Sequence, residues 1–145
     1  MARRSQAHPL SVFALLVAIT VGATGCGKFR EIRECRGLAL EVNGALDEIE
    51  ALSKTPSPER EARLAGRYAA LAQRLEPRTH GATPLAVTLR DYVAVLRATE
   101  TALKNHAEAS KASHASRVNE IKRELDRLVK REKAAVTRID VECHS

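Results

Sequence analysis

Between Pro84 and its last residue, Ser145, the chain has neither a proline nor a glycine, so nothing in that stretch obliges the backbone to leave a helix. The other prolines of the second and later thirds fall in two places, Pro56-Ser57-Pro58 and Pro77 to Pro84 with Gly81 between. In the spaces so defined, apolar residues recur at intervals of three and four, which gathers them on one face of a helix. A first stripe reads Phe29, Ile32, Cys35, Leu38, Val42, Ala45, Ile49 and Leu52. A second reads Leu64, Tyr68, Leu71 and Leu75, and a third Leu85, Leu89, Tyr92, Leu96, Thr99 and Leu103. The fourth runs Val118, Ile121, Leu125, Leu128, Ala135, Ile139 and Cys143, with Glu132 interrupting it. Two tyrosines, two phenylalanines and no tryptophan leave little for a strand-rich core. The expectation is an all-α domain. Ser57 is placed to cap a helix opening Pro58-Glu59-Arg60-Glu61, and Thr83 to cap one with Pro84 in its first position.

The first residues read as an address. Arg3 and Arg4 precede a run from Leu10 to Val21 that is apolar apart from Ser11 and Thr20, the make-up of a secretory signal and short for a permanent membrane span. Ser5-Gln6-Ala7-His8 separate the arginines from that run, which argues against the twin-arginine route. The run leads into Ala23-Thr24-Gly25-Cys26, which resembles the lipobox of bacterial lipoprotein precursors. The resemblance covers residues 1–26 and nothing beyond. It implies that residues 1–25 are removed, that a diacylglycerol is attached to the Cys26 thiol, and that residues 26–145 form a domain anchored to the bacterial cell envelope. Ala23 departs from the family, in which Leu, Val or Ile is usual three before the cysteine; the other reading is an ordinary cleaved signal with Cys26 as a plain thiol. Gly27 where Asp would signal retention implies, by the sorting rules of enteric bacteria, the outer membrane facing the periplasm.

Cysteine parity agrees with an acylated Cys26. Three cysteines in an exported chain leave one over, whereas acylation of Cys26 leaves Cys35 and Cys143 as a pair in an oxidising compartment. The pair also bears on residues 104–117, which are compatible with helix but carry no large apolar residue. Either the chain turns there, or one helix of about 60 residues continues for about 90 Å. In an antiparallel up-down-up-down bundle of four helices the start of the first and the end of the fourth lie together, so Cys35 can meet Cys143. In the alternative of three helices with one very long last helix, Cys143 projects far from Cys35. Four helices with a Ser-rich turn within 109–116, closed by a Cys35–Cys143 disulfide, is therefore the expectation.

Removing residues 1–25 leaves 22 basic against 18 acidic residues, a net +4. The bundle topology sends the start of the first helix, the loop from Glu76 to Pro84 and the C-terminus to one end. Lys28, Arg30, Arg33, Arg36, Arg74, Arg78, Lys133 and Arg138 gather toward it, opposed mainly by Glu31, Glu34, Glu76, Asp140 and Glu142. Such a collar suits anionic lipid headgroups, each well-placed cation adding up to about 1 kcal/mol. The other reading is a solvated surface with helical pairs such as Glu120 with Arg123 and Asp126 with Lys130.

Signals for chemistry are few. A nucleic-acid partner is not expected, because the basic residues are interspersed with acids and stacking aromatics are scarce. Cys143-His144 matches the end of a covalent haem motif, but Asp140 stands where the first cysteine belongs. His106 and His114, with Glu108 nearby, lack the spacing of a metal pair and read as solvent-facing residues around a turn; His80 and His144 have no evident partner. Glu48, Glu50, Glu59 and Glu61 read as surface charges, and neither a nucleophile elbow nor a phosphate loop is present. No cofactor, metal site or enzymatic activity is expected. What remains is a membrane-anchored structural or protein-interaction bundle, whose partner is an envelope protein or the cell wall. The Ala-rich second helix (Ala62, Ala65, Ala69, Ala70, Ala72) suits packing within the bundle, a partner helix or a homo-oligomer equally. The alternative is a periplasmic module that holds an apolar ligand or unfolded client, for which a preformed cavity or apolar groove is the discriminating feature.

Overall fold

The computed structural model describes residues 23–144 apart from Pro56 and Pro58, with side chains from Ile32 onward. Of the expected signal segment, residues 1–25, the first 22 residues lie outside the described residues. Cys26, Lys28 and Arg30 fall on helical backbone, but their side chains are also outside. Four helices and no strand are present among the described residues: α1 (Ala23–Lys54), α2 (Arg60–Leu75), α3 (Pro84–Lys111) and α4 (Ala115–His144), with a 3-10 turn at Glu76–Thr79 between α2 and α3.

The local signals account for most boundaries. Thr83 caps α3 as expected, its Oγ1 accepting from the Ala86 N–H at 3.2 Å with Pro84 in the first helical turn. Ser57 does not cap α2 directly. Its Oγ accepts from the Glu59 N–H at 3.2 Å and its hydroxyl donates to Glu59 Oε2 at 2.8 Å, so a local turn forms first and the helix opens later than the capping motif implied, at Arg60. The chain turns at Ala112-Ser113-His114, inside the expected window, and the single long last helix is thereby excluded. The turn is a Schellman motif: the His114 N–H donates to Ala109 O at 3.0 Å and the Ser113 N–H to Ser110 O at 3.1 Å, with Ser113 left-handed at φ 57°. Glycine usually occupies that position, because a Cβ there is strained.

Interhelical ion pairs join segments that neighbour in sequence. Arg67 reaches Glu48 at 2.9 Å, while Arg74 and Arg78, farther along, reach back to Glu41 at 3.7 and 2.9 Å, so α2 runs against α1. Arg97 of α3 bonds Glu76 at 2.8 Å and Arg138 of α4 bonds Asp91 at 3.3 Å. Each helix meets the next in sequence, and α1 also meets α4, along the sparsest of these seams.

Packing explains the unequal helices. α3 is buried on a wide arc because it lies against both α2 and α4: Leu89, Tyr92, Leu96 and Leu103 join the main core, while Val95, Ala102 and Ala109 pack with Ile121 and Leu128 of α4 in a second cluster. α1 and α4 bury only narrow seams with the three-four spacing of a coiled coil: Cys35, Leu38, Val42, Ala45 and Ile49 on one, Ile121, Leu128, Glu132, Ala135 and Ile139 on the other. Ile32, expected in the first stripe, is 63% exposed. The reason is length: α4 ends at His144, beside Cys35, so among the described residues no helix faces α1 before that level. Cys35 and Cys143 are joined, S–S 2.06 Å and Cα–Cα 5.5 Å, as cysteine parity implied.

Two outcomes follow. The bridge closes a segment of 108 residues, so Cys35→Ser should cost up to about 4–5 kcal/mol in denaturant titration and abolish the mobility difference between reduced and oxidised protein on gels. Ser113→Gly should raise stability by about 0.5–1 kcal/mol, because it relieves the left-handed residue without touching a contact.

Candidate functional site

Because α1 and α4 each bury only a seam and meet sparsely, a groove of about 520 Å³ opens between them next to the disulfide. Its floor is Leu38, Val42 and Ile139, and both bridged cysteines line it. Ile32 and Ala39 line it from α1 and Val136 from α4, with Arg36, Asn43, Asp140 and His144 as the polar rim. His144 leans back on its own helix, Nδ1 2.7 Å from Asp140 O and 3.4 Å from Asp140 Oδ1.

The apolar edges continue beyond the groove at seven-residue intervals. On α1 they are Ile32, Ala39 and the partly buried Leu46; on α4 they are Val129, Val136 and Cys143. Val129 is 57% exposed although apolar. Each edge spans about 21 Å by helical rise, and seven-residue spacing is the signature of a surface that receives another helix. From sequence Ile32 and Cys143 read as stripe members and Cys143 as a disulfide partner, while Ala39, Leu46, Val129 and Val136 are not singled out. Their period was legible, but which flank of a stripe stays open depends on how far apart two helices distant in sequence come to rest.

Inside the core, between the levels of Val129 and Val136 on α4, lies a polar cluster. Glu132 is 8% exposed, and its Oε2 accepts a hydrogen bond from the Tyr68 hydroxyl at 3.3 Å. Its Oε1 and the buried Tyr92 hydroxyl have no hydrogen-bond partner in the structure. Burial raises the Glu132 pKa above the usual carboxylate range, an effect the Tyr68 hydroxyl partly offsets. Burial, followed by the nearby Glu132, also pushes both tyrosine hydroxyls up, so neither ionises in ordinary conditions. The interruption of the fourth stripe by Glu132 was visible in the sequence; its pairing with Tyr68 was not, since it joins α2 to α4 across the core.

The remaining candidates are placed as follows. Arg33 and Arg36 are exposed on α1 near the bridge, Arg74 and Arg78 share Glu41, and Arg138 bonds Asp91. Lys133 is exposed and lies about 15 Å along α4 from Cys143 by helical rise. Glu120 pairs with Arg117 at 2.9 Å. His114 is exposed in the α3–α4 turn, but His106 is not solvent-facing as expected: it is half-buried with Nδ1 4.0 Å from Glu61 Oε1. Ala65 and Ala72 of α2 are buried inside the bundle, whereas Ala62 and Ala70 are exposed. Among the described residues no three His, Cys, Asp or Glu side chains gather in a way that could hold a metal ion, and no helix is long and apolar enough to cross a membrane.

Comparison with protein-family models, with curated proteins and with solved structures finds no match to the chain.

The buried carboxyl makes a signed prediction. Its folded pKa is raised, so its favourable contribution is complete below the unfolded glutamate value of about 4.3 and is lost as pH rises through the folded value. Glu132→Gln should therefore match the parent in acid and exceed it by about 1–3 kcal/mol at pH 7, read as the difference between denaturation curves at each pH.

Proposed function

We propose that the chain is a lipid-anchored protein of the bacterial cell envelope, an up-down-up-down four-helix bundle that docks an apolar-striped helix of an envelope partner in its α1–α4 groove. The observation that carries the docking is the pair of apolar edges at seven-residue spacing, Ile32–Ala39–Leu46 and Val129–Val136–Cys143, on either side of a groove with a buried aliphatic floor. A fifth helix laid there completes the layer that α1 and α4 leave unfilled, and the rim of Arg36, Asn43, Asp140 and His144 sets its register. The anchor rests on the lipobox-like Ala23-Thr24-Gly25-Cys26 and on the pairing of the other two cysteines with each other. Outer-membrane sorting with the domain in the periplasm is the reading of Gly27.

A second reading takes its support from the groove volume, which falls in the range of small-ligand sites: an apolar ligand or an unfolded client occupies the groove instead of a partner helix. A photo-crosslinking residue at Ala39 or at Val136 distinguishes the two. With the helix reading, both positions crosslink to one segment of one envelope protein, and Val129→Lys or Val136→Lys lowers the yield at least tenfold. Crosslinks scattered over many proteins, or none beside displacement of a bound apolar dye, decide for the second reading. For the anchor, the parent should carry a lipid mass on Cys26 and fractionate with membranes, and a Cys26→Ala chain should not. A membrane-bound Cys26→Ala chain together with a parent lacking lipid removes the tether.

A further inference from the structure

On the other flank of α1 a second cleft, about 620 Å³, lies between residues 33–38 of that helix and the segment that leads into α3. Its floor is apolar, formed by Leu38, Leu85 and Leu89, while Arg33, Arg78 and His80 line it as basic groups and Glu34 as the acid. Gly37 leaves this part of the α1 wall without a side chain. The loop that carries Arg78 and His80 is braced from beneath. Arg90 Nη1 donates to the carbonyls of Thr79 and Gly81 at 3.1 and 3.0 Å, Thr79 Oγ1 donates to Glu76 O at 2.7 Å, and Glu76 bonds Arg97. Gly81 turns with φ +115°, a conformation that L side chains rarely adopt. α3 then begins at the cleft with Thr83 as its cap, so the positive end of its dipole adds to the basic groups there. Arg78 spends one guanidinium nitrogen on Glu41 at 2.9 Å; the fork has five donors and can serve a second anion.

A basic mouth over an aliphatic floor matches a molecule with a phosphate at one end and hydrocarbon at the other. We propose that this cleft binds the headgroup and glycerol end of an anionic phospholipid, with Arg33 and Arg78 on the phosphate and Leu38, Leu85 and Leu89 against the hydrocarbon. The lipid assignment rests on the tethered reading above: Arg33 is about 10 Å along α1 from Cys26 by helical rise, so an acylated Cys26 holds the cleft within reach of the headgroup layer. Inorganic phosphate offers the same charge without the hydrocarbon, so it separates a lipid site from a plain anion site.

The test uses the full chain carrying Cys26→Ala, purified with the disulfide intact and titrated with short-chain phosphatidylglycerol below its micelle concentration. Binding is followed by the backbone amide signals of Gly37 and Gly81 and by the ring signals of His80. Phosphatidylglycerol should shift these at least tenfold more tightly than inorganic phosphate. Arg33→Gln and Arg78→Gln should each weaken binding about tenfold, and Gly37→Leu, whose Cβ meets nothing within 4 Å, should block it while leaving helicity unchanged. Arg123→Gln, exposed on α4 and outside the cleft lining, should bind as the parent does. Equal affinity for inorganic phosphate overturns the lipid assignment, and binding undiminished in Arg33→Gln and Gly37→Leu overturns the cleft. The tether is judged separately by the lipid mass on Cys26 in the parent: a lipidated parent whose cleft binds nothing refutes this site alone, and an unlipidated parent whose cleft binds phosphatidylglycerol refutes the tether alone.

Discussion

Four helices whose consecutive members pack side by side leave one seam to close without help from a short loop, and here that seam, α1 against α4, is tied by the Cys35–Cys143 bridge. The other three seams are each formed by helices joined by a brief connection, so the entropy of bringing them together is small. α1 and α4 are separated by most of the chain. Their apolar seams are narrow, and the bridge holds their ends in place where packing is sparse. It stands at the groove and, because Cys35 lies between Arg33 and Gly37, beside one wall of the basic cleft as well.

The core that this arrangement encloses is not optimised for stability alone. Glu132 occupies a seam position where the pattern calls for an aliphatic residue, and one of its oxygens and the Tyr92 hydroxyl are left without a partner. Leaving such groups unsatisfied costs about 1–3 kcal/mol each. The return is directional, since only one register of α4 brings Glu132 to the Tyr68 hydroxyl across the core. An aliphatic seam repeating every seven residues tolerates a shift by one heptad; a carboxyl paired with a tyrosine on another helix does not. The polar cluster thus helps define where α4 stops relative to α1, and so where Cys143 meets Cys35.

How far the sequence discloses this depends on the range of the interactions concerned. The stripes from Leu38 to Ile49, Leu64 to Leu75, Leu89 to Leu103 and Ile121 to Ile139 fixed the helices because periodicity is local. Thr83 and Pro84 fixed the start of α3 for the same reason. The α3–α4 turn was placed only within a window, because its left-handed residue is Ser113 and not the glycine that marks such turns. Pairing of Cys35 with Cys143 was legible through parity. Exposure of Ile32, the half-burial of His106 against Glu61 and the Tyr68–Glu132 bond were not, for each is set by where a different helix ends or lies. The groove and the cleft belong to the same class, being the space between helices and not a property of any one of them.

Both spaces flank the same helix. α1 buries a narrow stripe and presents one flank to the α4 groove and the other to the basic cleft, with Leu38 contributing to both floors. The bridge stands at the level of both, since Cys35 lines the groove and lies between Arg33 and Gly37 of the cleft, so it joins α1 to α4 where each space opens. Any coupling between the sites must be reciprocal, each occupant altering the affinity of the other by the same factor. The stripe that α1 buries belongs to the main core, Leu38, Val42, Ala45 and Ile49 packing with Leu71, Leu75, Tyr92 and Leu96, so an occupant of either space meets a helix held by both the core and the bridge.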